Sequence, residues 1–232
     1  MSKSAVIAID GPAASGKSTV AERIAKELKF LYFDTGVMYR AVTLAVLNAN
    51  IDPENEAEVS ALAGKIGIDV QPPHKNDGRQ YDVLLDGSDV TWAIRAARVN
   101  RNVSLISTYK GVREAMTSQQ RLIGLHKNVV MVGRDIGTVV LPEADIKFYL
   151  DASVEERARR RFSEEQKRGV QVDLDQLINA MKERDRIDST REIAPLRPAA
   201  DAVILDTTDK NIEEVVTEVL AVIHTRLELS GM

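Results

Sequence analysis

The stretch GPAASGKST occupies residues 11–19. It fits the spacing G-x-x-x-x-G-K-[ST], with Gly11, Gly16, Lys17 and Ser18 at the fixed positions and Pro12, Ala13, Ala14, Ser15 and Thr19 around them. Glycines at that spacing let the backbone turn so that successive N–H groups point inward at phosphate oxygens. A helix begun near Lys17 adds the positive end of its dipole. Lys17 then has the reach for β- and γ-phosphates, and the Ser18 hydroxyl is a ligand for Mg²⁺. Alanines at 13 and 14 are harmless, because such a loop works through backbone N–H groups.

Arginines recur in a second set of stretches. DTGVMYR carries Asp34, Thr35, Tyr39 and Arg40, and GVREA carries Arg113. VVMVGRDIGTVV, residues 129–140, begins as an apolar run, stops at a glycine and sets Arg134 beside Asp135. ERARRR offers Arg157, Arg160 and Arg161 on one helical face, with Arg159 beside them. KERDRIDSTR puts Arg184, Asp188 and Arg191 on one stripe if the helix continues that far. The guanidinium fork binds phosphate bidentately and keeps its charge, which makes arginine the residue for gripping a second phosphate. An ordinary alternative exists for the 157–161 group: a solvated face paired with Glu155, Glu156, Glu164 and Glu165. Arg134 and Asp135 have the weakest ordinary explanation. A charged pair at the mouth of a buried strand costs desolvation unless it has something to hold.

The elements that must position these residues follow from hydrophobic spacing. Ala5–Ile9 reads as a buried strand and Ser18–Leu28 as a helix. Phe30–Phe33 reads as a second strand, followed by helices at Val37–Leu47 and Glu54–Ile66, with Pro53 near the first turn of the latter. Between Ile68 and Thr91 the pattern breaks into short strand-like pieces around Pro72-Pro73 and Asn76-Asp77-Gly78, and Asp77-Gly78 is a hairpin signal. This is a small β insertion. Helical spacing returns from Ala93 to about Leu125. Further strands are expected at Val129–Val132, Ile146–Asp151 and Ala202–Asp206, and further helices at Val154–Lys167, along Leu174, Leu177, Ile178 and Met181, and after a capping box at Asn211 and Glu214. Strands alternating with helices predict an α/β fold: a parallel sheet of about five strands covered on both faces. In such sheets ligands bind beyond the carboxyl ends of the strands. GPAASGKST, DTGVMYR and GRDIG all follow expected strands.

Bulk properties exclude several classes. The 232 residues, 44% of them apolar, suffice for one sizeable domain with an insertion or for two small ones. A net charge of −4 argues against a general nucleic-acid binder. The chain has no cysteine, so neither a disulfide scaffold nor a thiolate zinc site is possible. His74, His126 and His224 are far apart and do not form a metal pattern. No signal segment is visible and no apolar run nears the roughly 18 residues of a membrane helix, so a soluble, cytoplasmic protein is expected by default. No aspartate stands three residues before any glycine, and N-K-x-D is absent, which speaks against a GTPase switch. A small phosphotransferase is the class left.

Taken together, GPAASGKST, DTGVMYR, GRDIGTVV and KERD…R followed by APL resemble the bacterial cytidylate kinases, over nearly the whole chain from about residue 5 to 227. The resemblance implies the nucleoside-monophosphate-kinase version of the P-loop NTPase fold: a five-stranded parallel core over 1–34 and 105–232, a monophosphate-binding region with its β insertion over 35–104, and a short helical lid over 155–170. It implies transfer of the γ-phosphoryl group of ATP, with Mg²⁺, to CMP or dCMP by a monomer with no nucleic-acid or membrane partner. The phosphate loop, residues 11–19, would hold ATP, with Ser18 on the metal. Arg40, Arg134 and Arg184 would grip the acceptor phosphate. Asp135 would accept from the cytosine amine, with Ser104 and Arg113 on the other polar edge of the base. Thr35 and Tyr39 would line the acceptor site, and Asp188 would bond the sugar with Arg191 nearby. Thr35 stands where many relatives have serine, which keeps the hydroxyl. Lys17, Arg134, Arg157, Arg160 and Arg184 would carry the catalysis, those at 157–161 as lid arginines. A kinase of another acceptor, such as UMP, AMP or shikimate, and a nucleotide-binding regulator without turnover remain alternatives. The base-reading group of Ser104, Arg113 and Asp135 separates the first alternative from this reading, and stoichiometric ATP binding with no ADP formed would mark the second.

Overall fold

The computed structural model describes residues 5–125, 128–167 and 169–229; His126 lies outside them. The chain divides into two compact units, Met1–Tyr32 with Lys127–Met232, and Phe33–His126.

The first unit is built on the strands β1 (Val6–Asp10), β6 (Val129–Gly133), β7 (Ile146–Asp151) and β8 (Val203–Asp206), with β2 (Leu31–Asp34) at the edge, in the order β2-β6-β1-β7-β8. β1 runs parallel to both β6 and β7, and β7 parallel to β8. All five residues of β6 are buried, as an uninterrupted apolar run requires in a sheet covered on both faces. On one face Ile7, Ile9, Val130, Val132 and Phe148 pack with α1 (Lys17–Leu28) and α8 (Ile212–Leu229). Ala8 and Met131 point to the other face and are fully buried as well. The capping box expected at the start of α8 forms: Asn211 Oδ1 accepts from Glu214 N at 3.0 Å, and Asn211 N donates to Glu214 Oε2 at 2.8 Å. α6 (Val154–Lys167) and α7 (Leu174–Thr190) pack together in the same unit.

The second unit holds α2 (Gly36–Asn48), α3 (Glu56–Ala63), the antiparallel sheet β3 (Ile68–Gln71), β4 (Asp82–Leu85) and β5 (Ser88–Asp89), then α4 (Ala97–Ile106) and α5 (Lys110–Leu125). Its boundary falls at residue 126, where the sequence reading ended the region at 104. The reason is α5, which is tied to this unit by the residue just before it and by one in its middle. Tyr109 Oη donates to Pro53 O at 2.8 Å, and the Gln119 side chain bonds Ile68 N and Ile66 O. Asp77-Gly78 lies in the connection between β3 and β4, which pair antiparallel as the hairpin signal implies. A second, tighter hairpin turns at Asp86-Gly87, with φ of 48° and 81°, joining β4 to β5. The residues from 72 to 81 form a longer connection, pinned by Arg79, whose guanidinium bonds Asp77, Asp82 and Asp89 at 2.7–2.8 Å.

Candidate active site

β1 ends at Asp10 and the chain turns at once into the loop that opens α1. Three positions in that turn have positive φ: Gly11 at 152°, Ala14 at 59° and Gly16 at 85°. Left-handed residues alternating with ordinary ones curl the backbone into a nest of inward N–H groups. Lys17 is only 6% exposed and lies back across its own loop, with Nζ donating to Pro12 O at 2.7 Å. Ser18 follows it in the first turn of α1.

Two arginines of α6 attend this loop. Arg157 is 4% exposed; its Nε donates to Ala152 O at 2.9 Å and its Nη1 to Ala13 O at 3.3 Å. Its guanidinium also pairs with Asp185 of α7, at 2.6 Å. This differs from the place expected of a lid residue. Arg157 lies under the loop and holds a carbonyl of it, because its position on α6 turns it toward the end of β7. Arg160 is engaged by Glu156 at 3.0 Å and by Thr207 Oγ1 at 3.1 Å, and a Cβ on Gly16 would lie 3.7 Å from its Nη1. Thr207 in turn donates to Ser15 O at 3.2 Å. Arg159 and Arg161 pair with Glu156, Glu164 and Glu165 on the helix surface, the ordinary alternative for that face. Replacing Arg157 by alanine leaves Asp185 without this partner and frees the loop carbonyl. Loss of a largely buried pair costs about 3 kcal/mol, so thermal unfolding is expected to fall by roughly 6–12 °C. An unchanged melting temperature would refute the clamp.

The second cluster of this unit starts where β6 ends. Arg134 Nε is 3.0 Å from Asp188 Oδ2, and Arg191 lies 3.6 Å from both Asp135 Oδ1 and Asp188 Oδ1. α7 stops at Thr190, and Arg191 is extended, yet it stays in the cluster by donating to Ala194 O at 2.6 Å. Arg184 is exposed on α7, about one turn before Asp188. After Asp135 the chain makes a single π-helical turn, Ile136–Val140. Such wide turns recur at functional sites.

Asp10 was not singled out by sequence reasoning, yet it underlies this turn. It is 3% exposed, and its carboxylate accepts from Ile136 N and Gly137 N, each at 2.8 Å. Burial pushes its pKa up to about 6, while those two N–H groups pull it back down. A carboxyl that titrates higher in the folded chain than in the unfolded one, near 3.9, contributes most to stability below about pH 4 and loses that contribution as the pH rises through about 6. The fold carries this group ionised at neutral pH at a cost in stability. The only sequence signal was an acidic residue closing an apolar strand.

In the second unit, Thr35 is buried at the start of α2, and Asp34 Oδ1 accepts from Gly36 N at 2.9 Å to turn the chain into that helix. Arg40 of α2 donates to Ile94 O at 3.3 Å and to Asn100 of α4. Ser104 lies one turn along α4 from Asn100 and is exposed. Arg113 of α5 is 3% exposed, donates to Ser107 O at 3.0 Å and stacks over the Tyr39 ring at 5.4 Å. Thus the first unit gathers Arg134, Asp135, Asp188 and Arg191, and the second gathers Tyr39 with Arg113 and Arg40 with α4. Among the described residues no cluster of acidic, histidine or cysteine side chains forms a metal cage, and no helix is long and apolar enough to cross a membrane.

The family model and the relatives similar in sequence share one description. The family model described as cytidylate kinase matches residues 7–225. A cytidylate kinase of Chloroflexus aggregans is 54% identical over 199 residues, covering 86% of this chain and 85% of the relative. One from Limosilactobacillus reuteri is 49% identical over 224 residues, covering 96% of each. The fold is similar to that in a crystal structure of an uncharacterized protein from Eubacterium ventriosum, at TM-score 0.51 and 11% identity over 95% of this chain and 98% of that one.

Proposed function

The chain belongs to the cytidylate kinase family, and we infer that it performs this reaction with the residues described above. The γ-phosphoryl group of ATP passes to the phosphate of CMP or dCMP, giving ADP and CDP or dCDP. The observation that carries the assignment of roles is the network at the end of β6. A buried carboxylate, Asp135, and three further charged groups, Arg134, Asp188 and Arg191, stand together at a strand end, next to the strand that leads into a phosphate loop.

Phosphoryl transfer asks the protein for position and charge rather than a nucleophile. An oxygen of the acceptor phosphate attacks the γ-phosphorus in line, and the bond to the β–γ bridging oxygen breaks. The loop of residues 11–19 cradles the ATP phosphates, and Lys17 neutralises charge that spreads over the transferred group. Arg134, Arg184 and Arg40 grip the acceptor phosphate; Arg160, at the rim of the loop, closes over the donor phosphates and excludes water. Arg157 acts on the loop backbone rather than on phosphate. Asp188 takes the sugar hydroxyl, with Arg191 beside it, and Thr35 and Tyr39 line the acceptor site. Ser18 supplies one hydroxyl oxygen, a hard donor of the kind Mg²⁺ takes beside substrate phosphates and waters. When bound, that ion would add charge neutralisation at the phosphates. The protein is assigned to the cytoplasm, acting as a monomer without nucleic-acid or membrane partners.

Asp135 reads the base. Cytosine presents an N4 donor beside the N3 and O2 acceptors, so a carboxylate with the donors Ser104 and Arg113 is complementary. Uracil presents O4 in place of the amine and meets the carboxylate unfavourably. A charge-assisted contact of this kind is worth about 1.5–3 kcal/mol. Asp135→Ala is therefore expected to reduce the preference for CMP over UMP by roughly ten- to a hundredfold with ATP binding intact. An unchanged ratio removes Asp135 from base recognition. The direct assay measures ADP formation with CMP, dCMP, UMP, AMP, GMP and shikimate offered singly. Turnover led by CMP and dCMP is the expected result, and turnover led by any other acceptor overturns the assignment.

A further inference from the structure

Asp135 occupies the N-cap position of the π-helical turn, with φ −146° and ψ 23°, but makes no side-chain capping bond to it. An aspartate at the start of a helical turn ordinarily accepts from the N–H groups that the turn leaves unsatisfied. Here the capping carboxylate comes from another strand. Asp10 accepts from both Ile136 N and Gly137 N at 2.8 Å, across a sequence separation of more than a hundred residues. Asp135 is turned instead toward Arg191.

We propose that Asp10 is a positioning residue for acceptor recognition: by capping the turn after β6 in place of Asp135, it keeps the Asp135 carboxylate directed at the acceptor. Three features support this. First, register: Asp10 is aligned with Gly133, so it reaches the turn directly across the β1–β6 pairing. Second, fit: a Cβ on Gly137 would lie 3.5 Å from Asp10 Oδ2 and 3.1 Å from Lys147 Cδ, and the missing side chain leaves the N–H open to the carboxylate. Third, connectivity: Asp10 directly precedes Gly11, so one residue links the start of the donor loop to the start of the acceptor-reading turn. The charged and titratable groups around it are Arg134 and Asp135 on the turn and, on β7, Tyr149, aligned with it, and the Lys147 stem. Without the Asp10 carboxylate, the two N–H groups lose their partner. Asp135 directly precedes the turn, and by rotating to cap it the carboxylate would turn away from the substrate.

The inference rests on the role of Asp135 given above, and its test separates the two. Asp10→Ala and Asp10→Asn are compared with Asp135→Ala in steady-state kinetics. For Asp10→Ala the KM for CMP is expected to rise at least tenfold and the CMP-over-UMP preference to fall at least tenfold, with the KM for ATP within threefold of the parent. Asp10→Asn, which keeps one accepting oxygen, is expected to fall between. Equal increases in both KM values, or no change in either, overturn the proposal. If Asp135→Ala loses discrimination and Asp10→Ala keeps it, only the positioning role fails; if Asp135→Ala keeps it, the base-reading role fails. Should the Asp10 variants not fold, the unaltered protein decides by amide NMR. The Ile136 and Gly137 amide protons are expected downfield, moving together with a single midpoint as the pH is lowered from 8 to 4. Two amides that do not titrate in common overturn the capping.

Discussion

Lys17→Met is expected to lower kcat by about 10²–10³-fold, the usual loss when one preorganised charge-stabilising donor is removed. The lysine has little freedom for any other task. It is 6% exposed, sits at the start of α1 and is folded against the loop by its bond to Pro12 O. Methionine keeps most of the apolar stem and removes the ammonium, so packing survives. The lost bond to Pro12 O and the relieved burial of a charge act in opposite directions on stability, and the melting temperature should move by only a few degrees. The KM for CMP should change less than threefold, because the arginines proposed to grip the acceptor phosphate lie elsewhere in the chain. Rapid-quench measurement of the first turnover isolates the chemical step. A kcat within tenfold of the parent would overturn the loop's catalytic role.

How much of this was legible in the sequence differs residue by residue. The phosphate loop was legible because its function needs particular residue types at fixed local spacing. The strands were legible because a sheet buried on both faces selects continuous apolar runs, as in VVMVG. The hairpins show where local information ends: Asp77-Gly78 and Asp86-Gly87 are the same dipeptide and both lie between antiparallel strands, but only the pairing of Leu85 with Ser88 makes the second the tight turn. The arginines of ERARRR are equivalent in sequence. One helix divides them, with Arg157 buried against Ala13 O and Ala152 O and Arg159 at the surface, because the end of β7 lies beside one face. Arg79 gives no local signal, since an arginine among aspartates in a polar stretch reads as a solvated loop until its three carboxylate partners converge. Asp10 depends on strand register across the chain, which no local pattern encodes. Arg191 kept its place for a reason other than the expected helical stripe: the helix ends, and the carbonyl of Ala194 holds the side chain.

Gly11→Ala is expected to have the largest effect on the fold itself. A Cβ at residue 11 would lie 2.0 Å from Leu150 O, a backbone atom of β7. No rotamer change relieves that contact, because the obstructing atom belongs to a central strand paired on both sides. The backbone angle adds to it: φ of 152° at this position is one that residues with a side chain rarely adopt. The protein has two ways to respond. If β7 moves away from β1, the sheet loses packing, and the overpacking cost of about 1–3 kcal/mol or more lowers the melting temperature by roughly 2–12 °C. If the loop moves instead, its N–H groups leave the phosphate positions, and ATP affinity falls with little change in melting. Differential scanning calorimetry with and without ATP reads both. A melting loss, or the disappearance of ATP-induced stabilisation, is expected. Gly16→Ala makes a useful contrast: its nearest neighbour is the flexible Arg160 guanidinium at 3.7 Å, so strain there comes only from a φ of 85°. A Gly11→Ala protein that melts and binds ATP like the parent would show that the close approach of β7 does not constrain this loop.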